Sequence, residues 1–264
     1  MSKQRTPPAV PGSPQRGPAL LVLILLTVAT IGVAVGARIW MSNLPVRGVR
    51  IEGIRIVPSE DIFQLAAVPM EKQLYDVKLS EVRDRVRRNP FVKDVAVHRD
   101  PPDRILIQVE ERVPQAVIAA GQMFYVDADG LLMPVIRSES AFDLPVITGA
   151  AEVQSCEIGK QLTHPAIREA IVLVMAAQQL DDALYRRISE VHIEPSGDLL
   201  LYTADGGVPV VVGQGDITTK LEKFDAFWTA VVASRGAQNL TSVDLRIADQ
   251  VVARWATIDE QMTN

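Results

Sequence analysis

Apolar and polar positions divide the chain into three stretches of different rhythm. Ala19 to Ala37 runs for 19 residues without a charge and is dense in Leu, Val and Ile. At about 1.5 Å per residue it covers most of a hydrocarbon core of about 30 Å, which predicts one transmembrane helix over residues 19–38. Arg38 and Trp40 follow directly and mark the second membrane boundary as a snorkelling cation and an interfacial indole, while Arg16 stands before the first. The competing reading is a signal peptide cleaved near Val35-Gly36-Ala37, but the apolar core is longer than the roughly 7 to 15 residues of a signal sequence. Residues 1–18 hold five prolines and two glycines with almost nothing to bury, and predict a disordered tail.

From Val46 to Val113 the rhythm alternates between period two and helical spacing. Val46 to Glu52 reads as a strand ended by Gly53. Pro58 and Ser59 precede Glu60 and Asp61, a cap with acidic residues in the first turn, and Ile62, Leu65 and Ala66 follow at helical spacing. Leu79, Val82 and Val86 predict a second helix, stopped by Asn89-Pro90. Phe91 to Arg99 and Arg104 to Glu111 alternate apolar and polar residues around the turn Asp100-Pro101-Pro102-Asp103. The order β-α-α-β-β suits a three-stranded sheet covered on one face by helices.

The remainder, residues 114–257, reads as a mixed β-rich unit before a short tail at 258–264. Strand-like runs are Gln115 to Ala119, Met123 to Val126, Leu131 to Val135 and Pro145 to Thr148, then Ile188 to Ile193, Leu199 to Thr203 and Val208 to Val212. Pro165 to Leu184 and Asp216 to Ser234 carry helical periodicity, and Thr241 to Leu245 with Val251 to Trp255 close the pattern as a last strand pair. One continuous twisted sheet flanked by helices accommodates all of them.

Charge sharpens this division. The 27 Lys+Arg and 32 Asp+Glu fall as 4 and 0 in residues 1–45, 13 and 12 in 46–113, and 10 and 20 in 114–264. No segment has the dense basic stripe of a nucleic-acid binder. Basic residues flank the apolar run on both sides, so the positive-inside rule alone leaves orientation open; a short inner tail and a long outer domain are expected, because long domains translocate largely regardless of charge. The single cysteine, Cys156, permits no intramolecular disulfide.

Catalytic chemistry finds little support. His98, His164 and His192 lie in separate elements without metal-ligand spacing, no Ser-x-x-Lys or Gly-x-Ser-x-Gly occurs, and Cys156 has no histidine near it in sequence. No metal site, cofactor or catalytic residue is therefore expected. Val212-Gly213-Gln214-Gly215-Asp216 imitates half of a dinucleotide fingerprint, but Thr218 replaces the third glycine and Asp216 sets a carboxylate where phosphate would sit. A glycine turn with Asp216 as an acidic helix cap is the expectation.

The run Asn89 to Val117, NPFVKDVAVHRDPPDRILIQVEERVPQAV, resembles the end of a POTRA domain of the FtsQ/DivIB family of bacterial division proteins. Phe124-Tyr125-Val126-Asp127-Ala128-Asp129-Gly130 is similar to that family's strand-turn-strand signature, and Leu144 to Gly149 and Val243-Asp244-Leu245-Arg246 with Val251 to Trp255 are similar to later ones. The succession covers nearly the whole chain; it departs from the family at Ile247, where an aromatic residue is usual. The resemblance implies an α+β fold, with a POTRA domain at 46–113 and an FtsQ-type β domain at 114–257. It also implies a bitopic inner-membrane protein at the septum that controls septal peptidoglycan synthesis without catalysing it. Its implied partners are FtsB and FtsL, bound by β-augmentation at Arg246, Ile247, Asp249, Gln250, Val251, Val252, Ala253, Arg254 and Trp255, and other division proteins through the POTRA domain. Taken by itself, Val251 to Trp255 fits equally an ordinary paired strand whose apolar residues face the core. The alternative function is a POTRA-containing secretion or outer-membrane assembly component.

Overall fold

The computed structural model describes residues 17–136, 142–150 and 157–256. The expected tail over residues 1–18, apart from Gly17 and Pro18 at the start of the first helix, the C-terminal tail, Arg16 and Cys156 lie outside these residues. The helix α1 (Gly17–Ser42) extends the predicted apolar run at both ends, and Leu21 to Met41 is long and apolar enough to cross a membrane. Its side chains are exposed throughout the described part, including Trp40 at 63%.

The first unit follows the predicted order: β1 (Gly48–Glu52), α2 (Ser59–Ala66), a 3-10 turn at Leu74–Asp76, α3 (Leu79–Val86), β2 (Val92–Asp100) and β3 (Arg104–Glu111). The sheet order is β1-β3-β2. The tight turn after β2 makes β2 and β3 antiparallel, whereas β1 is separated from its neighbour β3 by both helices and pairs with it in parallel. Ile105 and Ile107 on the middle strand are fully buried and meet Ile62 and Ala66 of α2 and Val82 and Val86 of α3. One expectation fails locally: Pro58, not Ser59, is the residue before α2, and no side chain caps that end. The other end is closed by Arg85 of α3, whose Nε and Nη2 donate to the Ala66 carbonyl at 3.0 and 2.7 Å. A guanidinium there satisfies carbonyls the helix leaves unpaired and locks the two helices together.

The second unit is built on nine strands: β4 (Pro114–Ala120), β5 (Gln122–Asp127), β6 (Leu132–Pro134), β7 (Val146–Thr148), β8 (Ile188–Ile193), β9 (Leu199–Thr203), β10 (Pro209–Gly213), β11 (Leu240–Asp244) and β12 (Val252–Trp255). They form one sheet in the order β12-β11-β10-β9-β8-β7-β4-β5-β6. The helix predicted over Pro165 to Leu184 divides into α4 (Pro165–Leu180) and α5 (Asp182–Arg187). Asp181 causes the break: its backbone is extended and its Oδ1 accepts from the Ala183 and Leu184 N–H groups, starting a new helix. The run from Asp216 becomes α6 (Ile217–Phe227), a π turn at Trp228–Val232 and α7 (Ala233–Arg235). Helices α4 and α6 pack side by side on one sheet face, burying Ile167, Ile171, Val174, Leu221 and Phe224.

Asp216 does not cap α6. It takes a left-handed conformation with φ 49°, and its side chain makes no cap bond. The carboxylate at this turn comes from Glu169 of α4, which accepts from the Gly215 N–H, while Lys220 reaches back to the Gln214 carbonyl at 2.8 Å. The glycine turn is thus a junction between α4 and α6.

The two units share apolar packing at β5 and β6, where Tyr125 and Met133 point into the core of the three-stranded unit. Two consecutive residues at the end of the three-stranded unit act here, the first within that unit and the second across the junction. The Glu111 carboxylate accepts from the backbone N–H groups of Arg55, Ile56 and Val57 at 2.7 to 3.1 Å, holding the loop after β1. Arg112 Nη1 donates to Asp127 Oδ2 at 2.6 Å, with both side chains largely buried. Asp127 Oδ1 also accepts from the N–H groups of Asp129 and Leu131, so one carboxylate shapes the turn ending in Gly130 and receives the cation from the other unit. Replacing Arg112 by Met leaves that buried charge unpaired and should cost about 3 kcal/mol, whereas Asp127→Asn retains an acceptor for the turn and should cost about half as much. Urea unfolding of both variants checks the ratio; equal losses would assign the junction to hydrogen bonding rather than charge.

A candidate interaction edge at the last strand

The final strand pair places the sequence-selected residues in three different settings. β12 has β11 on one side and, among the described residues, no strand on the other. Its pairing is antiparallel, with Asp244 opposite Val252, Val243 opposite Ala253 and Ser242 opposite Arg254; a bulge then brings Leu240 opposite Trp255. The Ala256 N–H donates inward to the Asn239 carbonyl at 2.7 Å, and the Arg254 carbonyl accepts inward from Thr241 Oγ1 at 3.0 Å. Backbone groups of successive strand residues alternate in direction. Those of Val252 and Arg254 therefore face β11, and those of Ala253 and Trp255 face outward along the open edge.

Side chains alternate across the perpendicular direction. Val251, Ala253 and Trp255 are half-buried against the main core beside the helices, while Val252 and Arg254 are exposed on the opposite sheet face. The Trp255 ring lies beneath the Arg235 guanidinium, 4.7 Å from its centroid, so α7 braces the end of β12. The residues whose backbone groups face outward thus have anchored side chains, which gives the edge a fixed geometry before any partner arrives.

The remaining selected residues form the approach to the edge. Ile247 is 48% exposed, and its carbonyl accepts from Lys223 Nζ of α6 at 3.1 Å. Asp249 is in the left-handed region with φ 57°, and the Gln250 N–H donates to the Ile247 carbonyl, which makes 247–250 a tight turn; the strand begins at Val252, one residue after the expected Val251. Arg246 folds back onto Asp244, with Nη2 at 2.7 Å from Oδ2 and Nε at 3.1 Å from Oδ1, and its stem lies against Gly213. Gly213 has φ +70°, and a Cβ there would crowd the Arg246 stem. Lys223, Arg235 and Thr241 escape sequence reading because they act on β12 from other elements.

Arg38 and Trp40, expected at a membrane boundary, lie in the last two turns of α1. Among the described residues no group of three or more His, Cys, Asp or Glu is arranged to hold a metal.

An apolar N-terminal helix, a small β-α-α-β-β domain and a larger β-rich domain with helices define a POTRA-containing, membrane-anchored type of protein. Family comparison assigns residues 44–112 to "POTRA domain, FtsQ-type" and residues 114–254 to "FtsQ/DivIB, C-terminal related". The chain belongs to the FtsQ/DivIB family. It is 31% identical over 258 residues to the cell division protein FtsQ of Rhodothermus marinus, covering 95% of this chain and 91% of that one. It is 28% identical over 229 residues to that of Salinibacter ruber, covering 83% and 86%, and 26% identical over 206 residues to that of Geotalea daltonii, covering 78% and 74%.

Arg246 holds the Asp244 carboxyl below the usual carboxylate range, chiefly through their side-chain hydrogen bond and then through its backbone N–H and charge, against the opposing effect of partial burial. A carboxyl depressed on folding stabilises the fold above its ordinary pKa of about 4, and that contribution is lost as pH falls through the lower native value. In Arg246→Met, Asp244 should titrate nearer the ordinary range, and the stability gap between wild type and variant should narrow from pH 6 to pH 3. Carboxyl-carbon NMR titration and urea melts at the two pH values measure both effects.

Proposed function

We propose that this chain is a non-catalytic, single-pass scaffold of the bacterial division machinery. Residues before α1 lie in the cytoplasm, and the two folded domains lie on the outer side of the inner membrane at the septum. The β domain captures an FtsB-like partner, together with an FtsL-like one, by adding a partner strand to β12, and so takes part in controlling septal peptidoglycan synthesis. The POTRA domain serves other components of the assembly. The observation that carries this reading is the terminal position of β12 in the nine-stranded sheet, with the N–H groups of Ala253 and Trp255 turned away from β11. A strand edge supplies main-chain hydrogen bonds for affinity, and side chains on alternate residues supply selectivity. Val252 and Arg254 on the open face are the side chains in position to select.

The FtsQ-type POTRA match favours a division component over a secretion or outer-membrane assembly component. In the latter role the chain would act away from division sites.

Proline substitution separates the edge from the ladder, because it removes one N–H without choosing among side chains. Ala253→Pro should keep the fold and weaken binding of the FtsB-like partner by at least roughly threefold to tenfold, the equivalent of one lost hydrogen bond. Arg254→Pro breaks a ladder bond to β11 and should lower stability as well. Thermal melts by circular dichroism and titration with the partner's extracytoplasmic segment distinguish the two; full binding by a folded Ala253→Pro variant would rule out this edge. In cells, depletion should give filaments with segregated nucleoids and continued envelope growth, scored by microscopy, and normal septation would remove the proposed role.

A further inference from the structure

The chain leaving α1 is fastened to the POTRA domain almost at once. Asn43 closes the helix through bonds to the Trp40 and Ile39 carbonyls. Only two residues after Ser42, the Leu44 carbonyl accepts from the Leu74 N–H at 2.7 Å, and Val46 exchanges backbone bonds with Glu71 and Lys72. Pro45 and Gln73 form a bridge between them. Two residues extend at most about 7 Å, so Leu44 keeps the 3-10 turn Leu74–Asp76 beside the end of α1, with Cα atoms of the two within 8 Å.

This turn presents an aromatic ring towards the helix. Leu74 and Val77 are buried, while Tyr75 between them is 38% exposed. Arg99 from β2 donates to the Leu74, Tyr75 and Val77 carbonyls at 3.0 to 3.1 Å, and its guanidinium lies over the Tyr75 ring at 5.4 Å. Tyr75, Ala34, Ala37, Arg38 and Met41 line an open groove of about 580 Å³. Ala34 lies seven residues before Met41, roughly 10 Å along the helix axis. A span of Leu21–Met41 rises about 32 Å against a hydrocarbon thickness of about 30 Å, so the Arg38–Met41 end of the groove lies near the outer limit of the apolar core and its Ala34 end reaches inward along α1.

We propose that Tyr75, held on its Arg99-braced turn, is a second membrane contact: it sits in the headgroup and glycerol layer of the leaflet from which α1 emerges and fixes the POTRA domain against the bilayer. The occupant of the groove is phospholipid, because the groove continues the surface of the membrane-spanning helix. A phenol with an apolar ring and a polar tip suits that layer, and Trp40 marks the same level on α1. Arg38 is the one charged residue among those lining the groove, and a single cation favours depth over selection of an anionic lipid. The inference rests on the proposed membrane crossing of α1.

Electron paramagnetic resonance of the full chain in nanodiscs of phosphatidylethanolamine and phosphatidylglycerol tests it. In a Cys156→Ser background, nitroxides are placed singly at Ile31→Cys in mid-helix, Tyr75→Cys, and Asp205→Cys in the turn between β9 and β10. Relaxation by lipid-soluble oxygen and by an aqueous nickel chelate should rank position 31 deepest, position 75 at headgroup depth and position 205 in water. If position 31 is not in lipid, the membrane crossing itself fails. If position 31 is in lipid and position 75 is as open to nickel as position 205, the second contact is overturned. Closure of position 75 to both reagents would overturn it equally, by showing a protein occupant in the groove. A second measurement keeps the native tyrosine in the reference: the distribution of energy-transfer distances from position 205 to headgroup-labelled lipid should broaden in Tyr75→Ser and stay narrow in Tyr75→Trp. Identical distributions in wild type and Tyr75→Ser would overturn the proposal.

Discussion

The buried pair of Arg112 and Asp127 is the constraint on which the arrangement of the two domains depends. Asp127 is 4% exposed and receives the Arg112 guanidinium together with two backbone N–H groups. A carboxylate taken out of water is stable only if its acceptor sites are filled, and these donors come from both sides of the junction. Its neighbour Glu111 performs the equivalent task inside the POTRA domain by holding the loop at residues 55–57. Two adjacent charged residues at the end of β3 thus fix one domain internally and fix its orientation to the next. Tyr125 and Met133 add apolar contact around them, with the Phe142 ring edge-on to Tyr125 at 5.6 Å.

From that junction the nine-stranded sheet extends from β6 and β5, which meet the POTRA domain, to β12 at its other edge. The path of the chain explains this separation. β4 leaves the POTRA domain and lies between β7 and β5, whereas β11 and β12 are added after the α6 crossover, beyond β10. Beside the end of α1, Arg99 ties the turn at residues 74–77 to β2. At the far end, Arg235 on Trp255 and Lys223 on the Ile247 carbonyl brace the edge. Each brace is a cation reaching from a neighbouring element to the carbonyls or the ring of the segment it holds.

The sequence by itself determined the order of elements and which faces they bury. Period-two runs such as Ile105, Ile107 and Val109, and helical spacing such as Leu79, Val82 and Val86, depend only on strand and helix geometry and are local signals. The 19-residue uncharged run is local in the same sense, and the short family-like motifs made the POTRA and β domains recognisable in succession. The tertiary structure decided what depends on partners distant along the chain. Asp181 splits one helical pattern into two because its side chain satisfies the next helix start, and Glu169 rather than Asp216 supplies the carboxylate at the glycine turn because α4 lies beside it. Arg246 belongs to an ion pair with Asp244, a geometry that spacing of two residues permits but does not require. The position of β12 at the end of the sheet also comes from the assembled topology: its apolar alternation would read alike in a central strand, and only the placement of the eight other strands leaves its outer backbone groups facing away from the sheet.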